Sequence, residues 1–184
     1  MHHIIRLIVY APTKEAALDK AKRIFDERLS GEDKKFDYGT FFDDDDSTMS
    51  GKARWGNLPP VERADSKEGK KLIDDGFDII KKEYEENIEN MRNLLKKFNN
   101  EELFEGEIID KNKKILEKLE ETDKLRDNPY WFSHTCWKIS HGDWLFDDDG
   151  EAINNNRDLK RVLNMEYHDN KEDKIWVVPV DVHT

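Results

Sequence analysis

The residue types best suited to chemistry lie close together late in the chain, as His134, Cys136 and His141. Residues two apart on a β-strand point to the same side, so His134 and Cys136 could both reach one zinc ion, with His141 just beyond a turn. A complete zinc site would need His168 or His183 as well, and the spacing matches no standard zinc motif. The alternative is a buried thiol beside a hydrogen-bonded histidine. We therefore predict no bound metal and no other cofactor, with these three residues as the candidates if a metal binds.

The same pair could form a nucleophile and its base, with the thiol of Cys136 activated by His134. Catalysis would require the imidazole within hydrogen-bond reach of the sulfur, and two residues on one strand face lie farther apart than that. No glycine-rich element adjoins Cys136 to stabilise an oxyanion. The chain also contains no P-loop, no G-x-G-x-x-G, no H-E-x-x-H and no G-x-S-x-G. The sequence therefore predicts no catalytic residue.

Two acidic clusters, Asp43–Asp46 and Asp147–Asp149, could supply oxygen ligands to Mg²⁺ or Ca²⁺. Neither fits an EF-hand loop, because the loop glycine would place Leu145, not an acid, at the first position, and no glutamate follows at the twelfth. Aspartate runs at strand ends are also typical of solvated turns. The sequence leaves open whether either cluster binds a cation.

Composition restricts the classes of partner. The 184 residues include 42 acidic and 31 basic side chains, for a formal net charge of −11. A field of that sign works against non-specific binding to nucleic acid or to an anionic membrane, so we expect neither partner. Cys136 is the only cysteine and no apolar run is long enough to cross a bilayer, so we expect a cytoplasmic protein without disulfides.

Both ends of the chain have strand patterns. The run 4–10 is almost continuously apolar, as expected of a strand buried on both faces. The run 175–182 alternates, which places Trp176, Val178, Val180 and Val182 on one face. A helix capped by Thr13 should follow the first strand, and a second strand is predicted over 36–42, with Phe36, Tyr38, Thr40 and Phe42 on one face. These elements predict one α+β domain over 1–184.

The middle of the chain is predicted to be helical. Apolar residues recur every three to four positions from Ser66 for over thirty residues, and a shorter helix should follow Asn99-Asn100. We interpret 62–121 as an antiparallel helical hairpin inserted into the domain. The first helix is long enough to leave apolar surface uncovered near its end, at Met91, Leu94, Leu95 and Phe98. We therefore expect a protein partner or self-association there.

The remaining pattern completes a sheet. A strand over 130–140, a short strand over 144–146, a helix capped within 154–156 and the last strand give the order β-α-β-(helical insertion)-β-β-α-β. Without its insertion this order matches the ferredoxin-like fold. In that fold the last strand lies at an edge, which agrees with Pro179 because proline cannot donate a ladder hydrogen bond.

Trp55 lies in a turn-rich segment between the second strand and the helical region. A large aromatic side chain in such a segment either packs on the domain or contacts a partner. We predict a non-enzymatic, acidic protein that acts by macromolecular binding or regulation. Two alternatives remain: a metal-dependent phosphoester hydrolase using the aspartate clusters with His134 or His141, and an acidic decoy that mimics nucleic acid.

Overall fold

The computed structural model describes residues 1–32, 34–43, 48–97, 144–167, 170 and 172–184, apart from a few side chains within 87–97 and that of Tyr167. The chain divides into two compact units, Met1–Ile80 with Gly142–Thr184, and Lys81–His141. The first unit is a mixed α+β structure around a five-stranded sheet.

The sheet is built on the two ends of the chain. Strands His2–Ala11 (β1) and Lys174–His183 (β5) pair antiparallel along their whole lengths, from His2 opposite His183 to Ala11 opposite Lys174. Residues 4–11 of β1 are all buried, which confirms the prediction of a strand covered on both faces. Both predicted end strands therefore belong to one sheet.

One face of the sheet is covered by helix Lys14–Ile24 (α1), which continues as a π-helical turn, Phe25–Leu29. The hydroxyl of Thr13 accepts the backbone N–H of Ala16, so the predicted N-cap is confirmed. Odd-numbered residues of β1 pack here against the even-numbered residues of β5. The first core contains all four side chains predicted for one face of β5, namely Trp176, Val178, Val180 and Val182.

The other face packs against a 31-residue helix, Lys67–Lys97 (α3). Ser66 caps it, since its hydroxyl accepts the N–H of Gly69 at 2.9 Å. Leu72, Ile73 and Ile80 pack on Ile8 and Val177 to form the second core. Polar side chains of β1, β2 and β5 lie on this same face at the end of the sheet where the two chain termini meet.

Two short strands pair with the outer side of β5. Tyr38–Phe41 (β2) lies opposite Val180–His183, and Glu62–Arg63 (β3) lies opposite Trp176–Val177. β5 is therefore an inner strand, and the prediction that the last strand is an edge was wrong. Pro179 is tolerated because it falls between the segments that β2 and β3 pair, so neither ladder needs its missing N–H.

The predicted strand over 36–42 is also shorter than expected. Phe36 precedes β2, bridges to Ser30 and packs in the first core, while Tyr38 and Thr40 occupy the opposite face. Phe36 therefore does not share a face with Tyr38, contrary to the prediction. Phe36 enters the first core because the regular strand alternation begins only at Tyr38.

Two elements complete the first unit. Strand Leu145–Phe146 (β4) pairs parallel with Arg6 and Leu7 of β1, giving the order β2-β5-β1-β4. Helix Asn156–Val162 (α4) is capped by Asn155, whose side chain accepts the N–H of Arg157 and Asp158, within the predicted capping segment. A 3₁₀ turn, Met165–Tyr167, precedes β5.

In the second unit, the described residues are those of α3 from Lys81 onward. Exposed pairs four residues apart, Lys81 with Glu85 and Lys82 with Glu86, line this part of the helix. The shorter helix and the strand over 130–140 predicted from the sequence lie outside the described residues. No helix in the described ranges is both long and apolar enough to span a membrane.

Candidate functional site

The segment that carries Trp55 is fastened to the sheet by a buried carboxylate. Asp181 of β5 has no solvent exposure, and its Oδ2 accepts the backbone N–H of Gly51 at 2.8 Å. Next to this bond, the hydroxyls of Ser50 and Thr40 lie 2.9 Å apart. The segment then forms one helical turn, Lys52–Trp55 (α2), closed by a bond from the N–H of Trp55 to the carbonyl of Gly51. Trp55 therefore has a fixed attachment to the sheet.

Around this turn lies an exposed apolar and cationic surface. The side chain of Met49 is 75% exposed and that of Trp55 is 40% exposed. Lys52 and Arg54 lie between them, and residues 48–61 contain no Asp or Glu although the whole chain has 42. We call Met49, Lys52, Arg54 and Trp55 the docking patch. Three of its four residue types, Met, Arg and Trp, are enriched where proteins bind one another.

Beside the docking patch, three polar side chains from three strands form a hydrogen-bonded group, the Asp–His–Tyr cluster of Asp181, His2 and Tyr38. The Nδ1 of His2 lies 3.1 Å from Oδ1 of Asp181, and its Nε2 lies 3.4 Å from the hydroxyl of Tyr38. The register explains this proximity, because Tyr38, His183 and His2 are aligned across β2, β5 and β1. The cluster can hold and transfer a proton at the exposed end of the sheet.

A second histidine supports the cluster. The ring of His183 stacks on Tyr38 with centroids 5.0 Å apart and an interplanar angle of 8°, and its Nδ1 lies 2.9 Å from Oδ2 of Asp37. The rings of His2 and His183 meet edge to face at 5.1 Å. Each imidazole therefore has its own carboxylate partner, which fixes its orientation.

Three described aspartates of the two acidic clusters have internal partners, namely Asp43, Asp147 and Asp148. Asp43 pairs with Lys22 at 2.6 Å. In the second cluster, Asp148 pairs with Lys20 and accepts the N–H of Tyr10, which ties the turn to β1. Asp147 accepts the N–H groups of residues 149 and 151, and burial raises its pKa despite these bonds. Within the described ranges, no group of three or more His, Cys, Asp or Glu residues could hold a metal ion.

Arg6 is an unusual residue in the predicted apolar strand. It is 7% exposed, and its Nη1 donates to the carbonyl of Ile4 at 2.6 Å, next to the point where β4 pairs with β1. Its buried Nε has no hydrogen-bond partner among the residues that the structure describes. Burial lowers the pKa of Arg6 from its ordinary value to about 10, partly opposed by Asp75. The guanidinium therefore makes a hydrogen bond to the backbone, but its burial removes it from water and this desolvation is unfavourable.

A cavity of about 440 Å³ lies where the start of α3 meets β3, β5 and the turn after α4. Its floor is apolar, formed by side chains including Ile73, Leu163, Met165 and Ile175. Its rim carries three cationic and three acidic residues, namely Arg63, Lys70, Lys174, Asp65, Asp74 and Asp173. The rim therefore gives no preference for the charge of a ligand.

The structure describes only some of the candidate site residues predicted from the sequence. Trp55 lies on the exposed surface described above. The side chains of Met91, Leu94 and Leu95, the whole of Phe98, and the candidate ligands His134, Cys136 and His141 lie outside the described residues. Asp44–Asp46 lie outside them as well. The roles predicted for these residues therefore stay predictions.

Sequence reasoning missed the Asp–His–Tyr cluster. A signal for it was present in β5, where Asp181 and His183 alternate with the apolar residues Val180 and Val182 and so occupy the opposite face. Pairing that face with His2 and Tyr38 required the register across three strands. A periodicity within one strand does not contain that information.

Comparison with known proteins gives one relationship. No curated protein and no solved structure matches the chain. One family model matches residues 1–113, which include β1, β2, the docking patch and α3, and exclude β4 and β5. Because the match covers more than half of the 184 residues, the chain belongs to the family described as Domain of unknown function (DUF7995).

Proposed function

We propose that this protein acts by binding another protein through the docking patch, without catalysing a reaction there. The observation that carries the proposal is the fixed exposure of Trp55. Its backbone is held by Gly51, which is itself bonded to the buried Asp181, while its side chain stays 40% exposed. An aromatic residue held in place loses little entropy on binding, which favours its use as an anchor.

The charge of the docking patch indicates the chemistry of the partner. Lys52 and Arg54 lie in a segment free of acidic residues, within a chain of net charge −11. We propose a partner segment that places an apolar side chain against Trp55 and Met49 and acidic side chains near the two cations. Complementary charges of this kind mainly increase the rate of association and the selectivity.

The first test compares wild-type protein with Trp55→Ala and with Glu15→Ala as a matched control. Glu15 is exposed on α1, which covers the opposite face of the sheet. A protein retained from cell extract by wild type should be purified and its affinity measured. An anchor residue contributes about 2 kcal/mol, so Trp55→Ala should weaken binding about 30-fold and Glu15→Ala should not. Equal affinities of the three forms would refute the proposal.

The same measurement separates the alternatives. A nucleic-acid-mimicking decoy would bind a basic partner, with strong salt dependence and little effect of Trp55→Ala. A metal-dependent phosphoester hydrolase would release phosphate from a model phosphoester when Mg²⁺ is added. The cluster Asp147–Asp149 does not favour the hydrolase, since Asp147 already accepts backbone N–H groups of its turn and Asp148 already pairs with Lys20.

We further propose that the inserted helical hairpin expected over 62–121 begins with α3, after the short strand β3, on a domain otherwise related to the ferredoxin-like arrangement. The antiparallel pairing of β1 with β5 and the parallel pairing of β1 with β4 support that relationship. The pairing of β2 with β5 departs from it.

A further inference from the structure

The hydrogen bonds of the Asp–His–Tyr cluster fix which nitrogen of His2 carries the proton. An ionised carboxylate only accepts hydrogen bonds, so the Nδ1 of His2 must be the donor to Oδ1 of Asp181. The other nitrogen, Nε2, then has a free lone pair when the ring is neutral. That lone pair is directed to the hydroxyl of Tyr38, whose oxygen is 3.4 Å away. His2 is therefore placed to accept the phenolic proton of Tyr38.

Asp181 is suited to hold His2 in this state. It is fully buried, and its second oxygen is occupied by the N–H of Gly51. A carboxylate fixed in this way orients the imidazole and stabilises the imidazolium formed when His2 takes a proton. The arrangement of carboxylate, imidazole and hydroxyl corresponds to an activated nucleophile with its base and orienting group.

Tyr38 is both accessible and held in place. Its side chain is 48% exposed, and its ring is stacked on His183, which Asp37 orients. Tyr84 on α3 provides a comparison, because its side chain is 45% exposed and no described residue pairs with it. Tyr84 is therefore an internal reference for the reactivity of a solvent-exposed phenol.

We propose that Tyr38 is a nucleophilic site that accepts an acyl group from an activated ester or thioester, with His2 as its general base and Asp181 as the positioning residue. The Tyr38 oxygen attacks the carbonyl carbon while its proton passes to Nε2 of His2. The bond from the carbonyl carbon to the leaving group then breaks, and the leaving group takes that proton as it departs. The product is an acyl ester of Tyr38, with no change in oxidation state.

An acyl donor fits the surroundings better than a phosphoryl donor. The carboxylates of Asp37 and Asp181 lie behind the two imidazoles that contact Tyr38, and they would repel a dianionic phosphoryl group. A neutral carbonyl carbon carries no such penalty. The separation of 3.4 Å is at the long end for a hydrogen bond, as is common for catalytic contacts before a substrate is bound.

The test uses the full chain and N-acetylimidazole as the acyl donor, with the acetylation of Tyr38 and Tyr84 followed over time by peptide mass spectrometry. General-base assistance contributes about 10²-fold or more, so Tyr38 should react about 10²-fold faster than Tyr84 in the wild-type protein. Rates within about threefold of each other would overturn the proposal without any variant, because the two exposures are nearly equal.

Two variants then assign the effect to His2. His2→Gln should lower the Tyr38 rate to that of Tyr84. His3→Gln is the matched control, because the neighbouring His3 lies on the opposite face against Phe36 and Trp144, and it should leave the rate unchanged. A Tyr38 rate that stays high in His2→Gln would also overturn the proposal.

Discussion

Replacing Asp181 with alanine should destabilise the first unit and release the docking patch. The substitution leaves the buried N–H of Gly51 without an acceptor and removes a charge-assisted bond from His2. An unsatisfied buried N–H costs about 1–3 kcal/mol, and a hydrogen bond to a charged group contributes about 1.5–3 kcal/mol. The desolvation of the carboxylate disappears with it and offsets part of this loss. We therefore expect a net loss of about 3 kcal/mol in the free energy of unfolding.

Asp37→Ala is the matched control for this prediction. Asp37 also bonds a histidine, at 2.9 Å, but its side chain is 67% exposed, so its loss should cost less than about 1 kcal/mol. Urea denaturation followed by tryptophan fluorescence measures both variants. Limited trypsin digestion at Lys52 and Arg54 reports the release of the segment, and cleavage in Asp181→Ala should be roughly 10²-fold faster than in wild type. Equal stability of the two variants, or unchanged cleavage, would refute this account of the anchor.

Three further predictions concern the backbone, a buried charge and self-association. Gly51→Ala should lower the melting temperature more than Gly56→Ala. Both positions have positive φ, 55° and 77°, which costs a side chain about 1–3 kcal/mol, but only a Cβ at Gly51 would meet Thr40, at 3.1 Å. At neutral pH, Arg6→Met should be as stable as wild type or up to about 1–2 kcal/mol more stable, because the substitution removes a buried charge. That advantage should shrink above pH 10 in urea titrations. Because burial lowers the pKa of Arg6 to about 10, the folded wild-type protein loses this proton at a lower pH than the unfolded protein does and gains stability as the pH rises. Replacing Leu94 and Leu95 with Asp should convert a self-associated protein to a monomer in sedimentation, and an unchanged sedimentation coefficient would contradict the predicted surface.

The sequence predicted the parts of the fold that depend on local pattern. The burial of β1, the cap at Thr13 and the common face of Trp176 and Val182 follow from periodicity and side-chain chemistry. The position of β5 could not be predicted in this way. Pro179 suggested an edge, and only the lengths and registers of β2 and β3 show that an inner strand can leave one residue without a partner on its outer side.

The sequence predicted the exposed part of the candidate site but not the contacts that hold it in place. Trp55 was recognisable as a large aromatic residue in a turn-rich segment, and its exposure agrees with one of the two interpretations of that residue. Its anchor was not recognisable, because Gly51 and Asp181 are 130 residues apart in sequence. Asp181 is the only polar residue between Val178 and Val182. A buried carboxylate needs hydrogen-bond partners, and the sequence does not identify them.

Photo-crosslinking from the docking patch in living cells shows directly whether another protein binds there. The photoreactive residue p-benzoylphenylalanine replaces Trp55 in one form of the protein and Glu15 in the other. We expect a discrete crosslinked product containing a second protein from position 55, its loss when Met49→Asp is added, and no such product from position 15. The same product from both positions, or none from position 55, would contradict a role of this surface in binding a protein.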